Sequence, residues 1–257
     1  MKIITIDFET YWDSKDYTLS KMGPIEYIRD PRFHAQMVGV RVDRGPVQIF
    51  STDESIRVVL QGLELHKPDR MVVAHNGNGF DFLILSERYG ICPAWMFDPM
   101  VAMRWTGLSR VSSESHAALT SILGTGVKTA GTVISNGKHW SKDFSPYEQQ
   151  AFEQYCKDDV LQCSENTYAL LPYCTPDVVR FCTITARMAT EPLLFLDTAK
   201  LEQYRKELDD ATERARLEMM ALFHFSDADT FLNAIRSAPK MCEMLRSLGV
   251  EPPTKYS

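Results

Sequence analysis

No run of 18 apolar residues occurs in this 257-residue chain, so no membrane-spanning helix is expected. No CxxC pair occurs among Cys92, Cys156, Cys163, Cys174, Cys182 and Cys242. That argues against a zinc site and reads most of the six as small core residues in a reducing cytosol. Basic residues are not in excess, since the net charge is −6. A protein that holds long duplex DNA through phosphates alone should be basic. That class is set aside, whereas a site that grips a few nucleotides through metal ions is not. Internal repeats and low-complexity tracts are absent, and Asp7 comes too early for a signal peptide. What the chain does have is an apolar content of 44%, enough for one large packed domain or for one domain and a smaller companion.

The first strong pattern is IITIDFETY, residues 3–11. It reads as a buried strand with Asp7 and Glu9 set into it two residues apart, hence on one face. Like charges at that range repel, so something must offset them. Residues 35–43 and 47–51, joined by the turn RGP, read as a hairpin. Residues 52–65 read as a capped helix, 70–75 as a short strand, NGNG as a turn, and 80–90 as a helix ended by Gly90. Residues 112–124 read as a capped helix and 125–145 as a loop. Ser145 followed by Glu148 is a capping box, opening a long helix to about residue 170. The alternation of strands and helices, with an early hairpin, predicts an α/β fold built on a mixed sheet. The pattern changes near 175–195. Beyond it, apolar positions three and four apart from Leu201 to Leu222 predict a long amphipathic helix capped by Asp197, then a short helix ending at Gly249.

The long helix carries Phe152, Tyr155, Cys156, Val160 and Cys163 on one stripe, and Asp159 stands on that same stripe one turn after Tyr155. Asp158, rotated by about 100°, faces nearer to solvent. A carboxylate on a buried stripe needs a partner. Asp81, in the first turn of the helix after NGNG, reads equally as a favourable charge at a helix N-terminus. Four carboxylates from a strand, a helix start and a helix interior match the needs of two hard divalent cations, Mg²⁺ or Mn²⁺. Two such ions clamp the attacking and leaving oxygens of a phosphodiester. The hydroxyl of Tyr155 would orient the attacking water.

These motifs resemble those of the DEDD 3′–5′ exonucleases. DFET resembles the first motif, NGNGFD the second and YCKDD the third, in the tyrosine subgroup. The resemblance implies a ribonuclease H-like, five-stranded mixed sheet flanked by helices. It implies Asp7, Glu9, Asp81 and Asp159 as metal ligands and Tyr155 as the residue that positions water. Thr10, Asn76 and Phe80 would line the path of the terminal nucleotides. The stretch FETYWDSKDYTLSKMGPIEYIRDP resembles the editing domains of bacteriophage DNA polymerases. FLNAIRSAPKMCEMLRSLGVEPPTKYS is similar to the start of the thumb in family A DNA polymerases, with Lys240 where that family has Gln. Palm and fingers do not follow, so no polymerase site is expected. The implied organisation is an exonuclease domain over 1–180 and a thumb-like helical segment over 181–257. The implied activity is proofreading: release of nucleoside 5′-monophosphates from single-stranded or frayed DNA 3′ ends in the cytoplasm (the host's, for a bacteriophage), with a polymerase domain in cis or trans. A free-standing exonuclease on RNA or short oligonucleotides is the alternative, and a non-catalytic docking module is a second.

The six histidines are scattered and read as core or turn residues. Lys128, Lys138, His139 and Trp140, before the third motif, read as a solvated loop with one packed tryptophan, although they would also suit phosphate contact and base stacking.

Overall fold

The computed structural model describes residues 1–107, 120–121, 123–125 and 135–252. The chain divides between Leu193 and Leu194 into two compact units.

The first unit is built on a five-stranded sheet in the order β3-β2-β1-β4-β5. The strands are β1 (Lys2–Thr10), β2 (Ala35–Val42), β3 (Val47–Phe50), β4 (Arg70–Val73) and β5 (Trp95–Phe97). β1 pairs antiparallel with β2 and β2 with β3, whereas β1–β4 and β4–β5 are parallel. The sheet is therefore mixed, with the acid-bearing strand at its centre. Alternate residues of β1 go to opposite faces. Ile4, Ile6 and Phe8 enter one hydrophobic core with Val38, Val40, Ile56, Leu60 and Phe82. Asp7 and Glu9 take the other face.

The helices of this unit are α1 (Pro24–Arg29), α2 (Asp53–Gly62), α3 (Asp81–Tyr89), α4 (Pro99–Thr106), α5 (Trp140–Asp143), α6 (Pro146–Leu170) and α7 (Pro176–Thr190). Local chemistry sets their ends. Thr52 and Ser55 form a capping box on α2, and Gly90, at φ +65°, closes α3 in a left-handed conformation. A side chain at that position would be strained. Ser145 and Glu148 form the expected capping box on α6, with Pro146 in its first turn. α6 packs across β1, β2, β3 and β4 on the acid-bearing face. Met37, Phe144, Phe152 and Cys156 form the apolar contact there. α7 packs on β5, α3 and α4.

β5 and α4 occupy a stretch that the sequence pattern leaves unread. The helix expected over 112–124 lies mostly outside the described residues, as does much of the loop expected over 125–145. Within that loop α5 forms one short turn.

The second unit contains α8 (Thr198–Leu222), α9 (Ala228–Ile235) and α10 (Ala238–Ser247). Asp197 caps α8, accepting from the Lys200 N–H at 3.0 Å, and Asp227 caps α9, accepting from the Thr230 N–H at 2.7 Å. α8 is as long as expected, but Met220 is its one buried residue. No described helix is long and apolar enough to cross a membrane.

Candidate active site

β1 and α6 bring the first acids together. Asp7 lies opposite Gly39 of β2, and Glu9 opposite Met37. The register slips between Glu9 and Thr10, an irregularity of the kind that re-aims side chains at strand ends. Ligand atoms of Asp7, Glu9 and Cys156 all lie within 4.8 Å of one another. Cys156 is buried on α6, with its thiol 3.9 Å from the Asp7 carbonyl. Burial, and then the charges of Asp7, Glu9 and Asp159, push that thiol far above its ordinary pKa.

Tyr155 and Asp159 are one turn apart on the same helix. Asp159 is only 5% exposed. Asp158 is half-buried and accepts a hydrogen bond from Gln154 at 2.8 Å. The neighbouring acids thus differ in environment as the helix phase dictates. Burial raises the phenol pKa of Tyr155 most, followed by the charge of Asp159 and then that of Glu9. A hydrogen bond donated to Asp159 and the charge of Asp7 add to it. The phenol therefore stays protonated, with three carboxylates in electrostatic reach.

Asp81 comes from a third element. It opens α3 and is 3% exposed. β4 pairs with β1 only as far as Thr5, and beyond that point the Phe8 N–H donates to Asp81 Oδ1 at 3.0 Å. Burial lifts the Asp81 carboxyl well above the usual range. The Phe8 N–H opposes this, while the charges of Asp98 and Asp159 add to it. A bound cation would offset exactly such a cost, and the donors available are the hard oxygens that Mg²⁺ selects.

Asp98, which the sequence reading passed over, holds this corner in shape. It is fully buried. Its carboxylate accepts from the N–H groups of Met100 (2.9 Å), Asn76 (3.2 Å) and Asn78 (3.5 Å). It thereby caps α4 and ties down the turn that precedes Asp81. Burial pushes its pKa up to about 6.

Beside Glu9 lies a cavity of about 330 Å³ lined by Phe8, Glu9, Thr10, Trp12, Thr18, Leu19, Tyr27 and Phe80. Its size is at the lower end for small-ligand sites. Thr10 and Phe80 therefore stand in its wall. Thr10 Oγ1 and the Tyr27 hydroxyl are 2.9 Å apart. Asn76 is not in that wall: it is exposed and left-handed, at φ +54°. Trp12, Thr18, Leu19 and Tyr27 were not expected. Trp12, Thr18 and Leu19 come from the irregular stretch before α1 and Tyr27 from α1 itself, whose six residues are too few to show a period.

Lys128 lies outside the described residues. Lys138 pairs with Glu148. His139 stacks on Tyr11 at 4.1 Å. Trp140 packs against Phe144 and Phe152. The tryptophan is thus a packing residue, as the plainer reading held.

No protein-family model matches the sequence, and no curated protein does. Solved structures do match. NrnC of Brucella melitensis superposes with a TM-score of 0.53 at 15% identity, over 73% of this chain and 81% of that one. RNase D of Trypanosoma brucei, in complex with RNA U12, gives 0.52 at 15% identity, over 79% and 71%. RNase D of Escherichia coli, an exoribonuclease involved in structured RNA processing, gives 0.51 at 14% identity, over 74% of this chain. The match spans 46% of the E. coli enzyme's length. NrnC is also matched in its structures with bound Mg²⁺ and with pGG. At such identities the likeness is one of fold. The first unit's mixed five-stranded sheet and its helices form an α/β fold shared with these structures.

Proposed function

We propose that the chain is a metal-dependent 3′–5′ exonuclease of single-stranded RNA or short oligonucleotides, releasing nucleoside 5′-monophosphates. One observation carries this reading: Tyr155 lies in electrostatic reach of Asp7, Glu9 and Asp159, and Asp81 in reach of Asp159, with a cavity beside Glu9. Asp7, Glu9, Asp81 and Asp159 would hold two Mg²⁺ or Mn²⁺ ions. The ions supply Lewis-acid stabilisation of the attacking and leaving oxygens. The Phe8 N–H fixes Asp81 for that task. Tyr155, protonated and anchored toward Asp159, orients the water by its hydroxyl. Trp12 and Phe80, the partly exposed aromatic residues of the cavity wall, offer rings to the terminal nucleoside, which enters by shape.

The choice of RNA and short oligonucleotides is supported by the RNA U12 and pGG held by structural neighbours. A second reading, proofreading of DNA 3′ ends beside a polymerase domain, rests on the thumb-like resemblance of residues 231–257. The two separate in one assay. A dinucleotide and 5′-labelled RNA and DNA 10-mers of one sequence are digested with Mg²⁺ beside Asp7→Ala. The proposal expects the dinucleotide or RNA to be consumed fastest, with shortening from the 3′ end. Faster digestion of DNA, with frayed ends preferred over paired ends, favours the second reading. Equal traces for the wild type and Asp7→Ala sink both.

A further inference from the structure

At Gly39 α6 lies close against the sheet. A Cβ built on it would lie 2.6 Å from Val160 Cγ2, 2.9 Å from Cys156 Sγ and 3.3 Å from Ile49 Cδ1. Ordinary contact begins near 3.4 Å. The first two atoms belong to short side chains on one helix, and valine is stiff at χ1, so the obstruction cannot swing aside. Gly39 is also the register partner of Asp7. Cys156 and Val160, four residues apart, form the stripe of α6 that rests on this gap. Tyr155 and Asp159, each one residue earlier, form the adjoining stripe. Seating depth at Gly39 therefore fixes how far Asp159 and Tyr155 stand from Asp7 and Glu9.

We propose that Gly39 is a positioning residue for the acid cluster: its missing side chain sets the spacing between the carboxylate of α6 and those of β1. The inference rests on the nuclease reading. A Cβ at residue 39 must lift α6 by a sizeable fraction of an ångström to restore ordinary contact with Val160. Mg²⁺ demands near-ideal octahedral geometry, and active-site groups tolerate displacements of only about 0.5 Å. A misplacement of about 1 Å, even one made away from the chemistry, costs up to about 100-fold.

The test uses the full chain and whichever oligonucleotide the wild type degrades fastest. Gly39→Ala is expected to fold, to lose about 10- to 100-fold in kcat, and to bind Mg²⁺ more weakly by calorimetry in the absence of oligonucleotide. KM for the oligonucleotide should stay within about 3-fold, because the cavity lies on other residues. Adding Val160→Ala to Gly39→Ala removes the closest obstruction and should recover most of the lost rate, which relief of a general destabilisation would not do. If Gly39→Ala does not fold, the double variant is compared with Val160→Ala alone, and similar rates support the proposal. A folded Gly39→Ala with wild-type turnover overturns it, as does a double variant no faster than the single one, or a double variant that also fails to fold. An inactive wild type, or an Asp7→Ala chain that cuts as well as wild type, defeats the nuclease reading instead.

Discussion

α6 and α8 are both 25 residues long, yet their surroundings are opposite. α6 buries nine residues, four of them polar or charged: Asp159, Ser164, Asn166 and Thr167. α8 buries Met220 alone, and Leu201, Tyr204 and Leu208, spaced three and four apart, stand exposed. The tidier amphipathic pattern thus belongs to the helix with less to cover it. Hydrophobic spacing tells which side of a helix is apolar, not whether another surface meets it. The buried polar groups of α6 mark the helix that must satisfy them. Asn166 accepts from Gln162 at 3.2 Å and donates to Thr120 at 3.4 Å. The Thr167 hydroxyl donates to the Cys163 carbonyl at 2.8 Å.

The contrast is tested most severely at adjacent acids. Asp159→Ala should lower single-turnover cleavage by about 1,000-fold or more, some 4 kcal/mol of barrier. Asp158→Ala should stay within about 3-fold, because its carboxylate is bonded along its own helix. Equal losses in folded variants would mean that burial on α6 does not mark function. Next come two truncations. Phe152 is buried against Phe144, with ring centroids 5.3 Å apart. Phe152→Ala should cost about 3–5 kcal/mol in urea unfolding, whereas Leu208→Ala should change stability by about 0.5 kcal/mol or less. A comparable loss at Leu208 would show that α8 is covered in solution.

A third test uses pH. The folded pKa of Asp98 is raised to about 6 by burial, against about 3.9 for an unfolded aspartate. Between those values the folded chain holds the proton more tightly. Stability is therefore greatest below about pH 4 as far as this group is concerned, and is lost as pH rises through about 6. At about 1.4 kcal/mol per unit the loss is on the order of 3 kcal/mol, and Asp81 acts in the same direction. Urea melts in a chelating buffer from about pH 4.5 to 7 should show the decline. A flat profile would remove Asp98 from the low-dielectric interior. The smallest expected effect is at Tyr155. Tyr155→Phe keeps the ring and loses one hydroxyl, so turnover should fall about 10- to 100-fold, with Mg²⁺ binding by calorimetry unchanged. Loss of metal instead would make the tyrosine a support for Asp159.

Elements with local signals were legible in the sequence. β1 shows as an apolar run, α6 as a capping box followed by a stripe, and α3 as a helix closed by Gly90. β5 was not, because its three residues are too few to show alternation. α7 and α9 were missed as well. Asp98 offered only the faint signal of an acid before Pro99 at a helix start. Its partners at Asn76 and Asn78 come from a distant turn that no spacing reveals. The acids and Tyr155 were readable from motif order. Cys156 was legible as a neighbour of Tyr155 and Asp159 on the helix stripe, but its approach to Asp7 and the place of Gly39 were not, since only strand register and helix seating bring them together. Trp12 and Leu19 reach the cavity from a segment without period, and Tyr27 from the short α1.

Cavity and acid cluster also differ in the time each needs to assemble. The bond between Thr10 and Tyr27 spans 17 residues, and that between the Tyr17 hydroxyl and the Tyr27 carbonyl spans 10. Contact between Cys156 and Asp7 spans 149. Loop closure costs about 0.6 kcal/mol more for each doubling of length, so the long contact carries a disadvantage of about 2 kcal/mol before any packing repays it. A ribosome delivers the amino-terminal residues first. Most of the cavity wall is complete in the first 27 residues, with Phe80 following. The last acid emerges only with residue 159. A growing chain thus carries most of the cavity's lining long before the last of the four acids has been made.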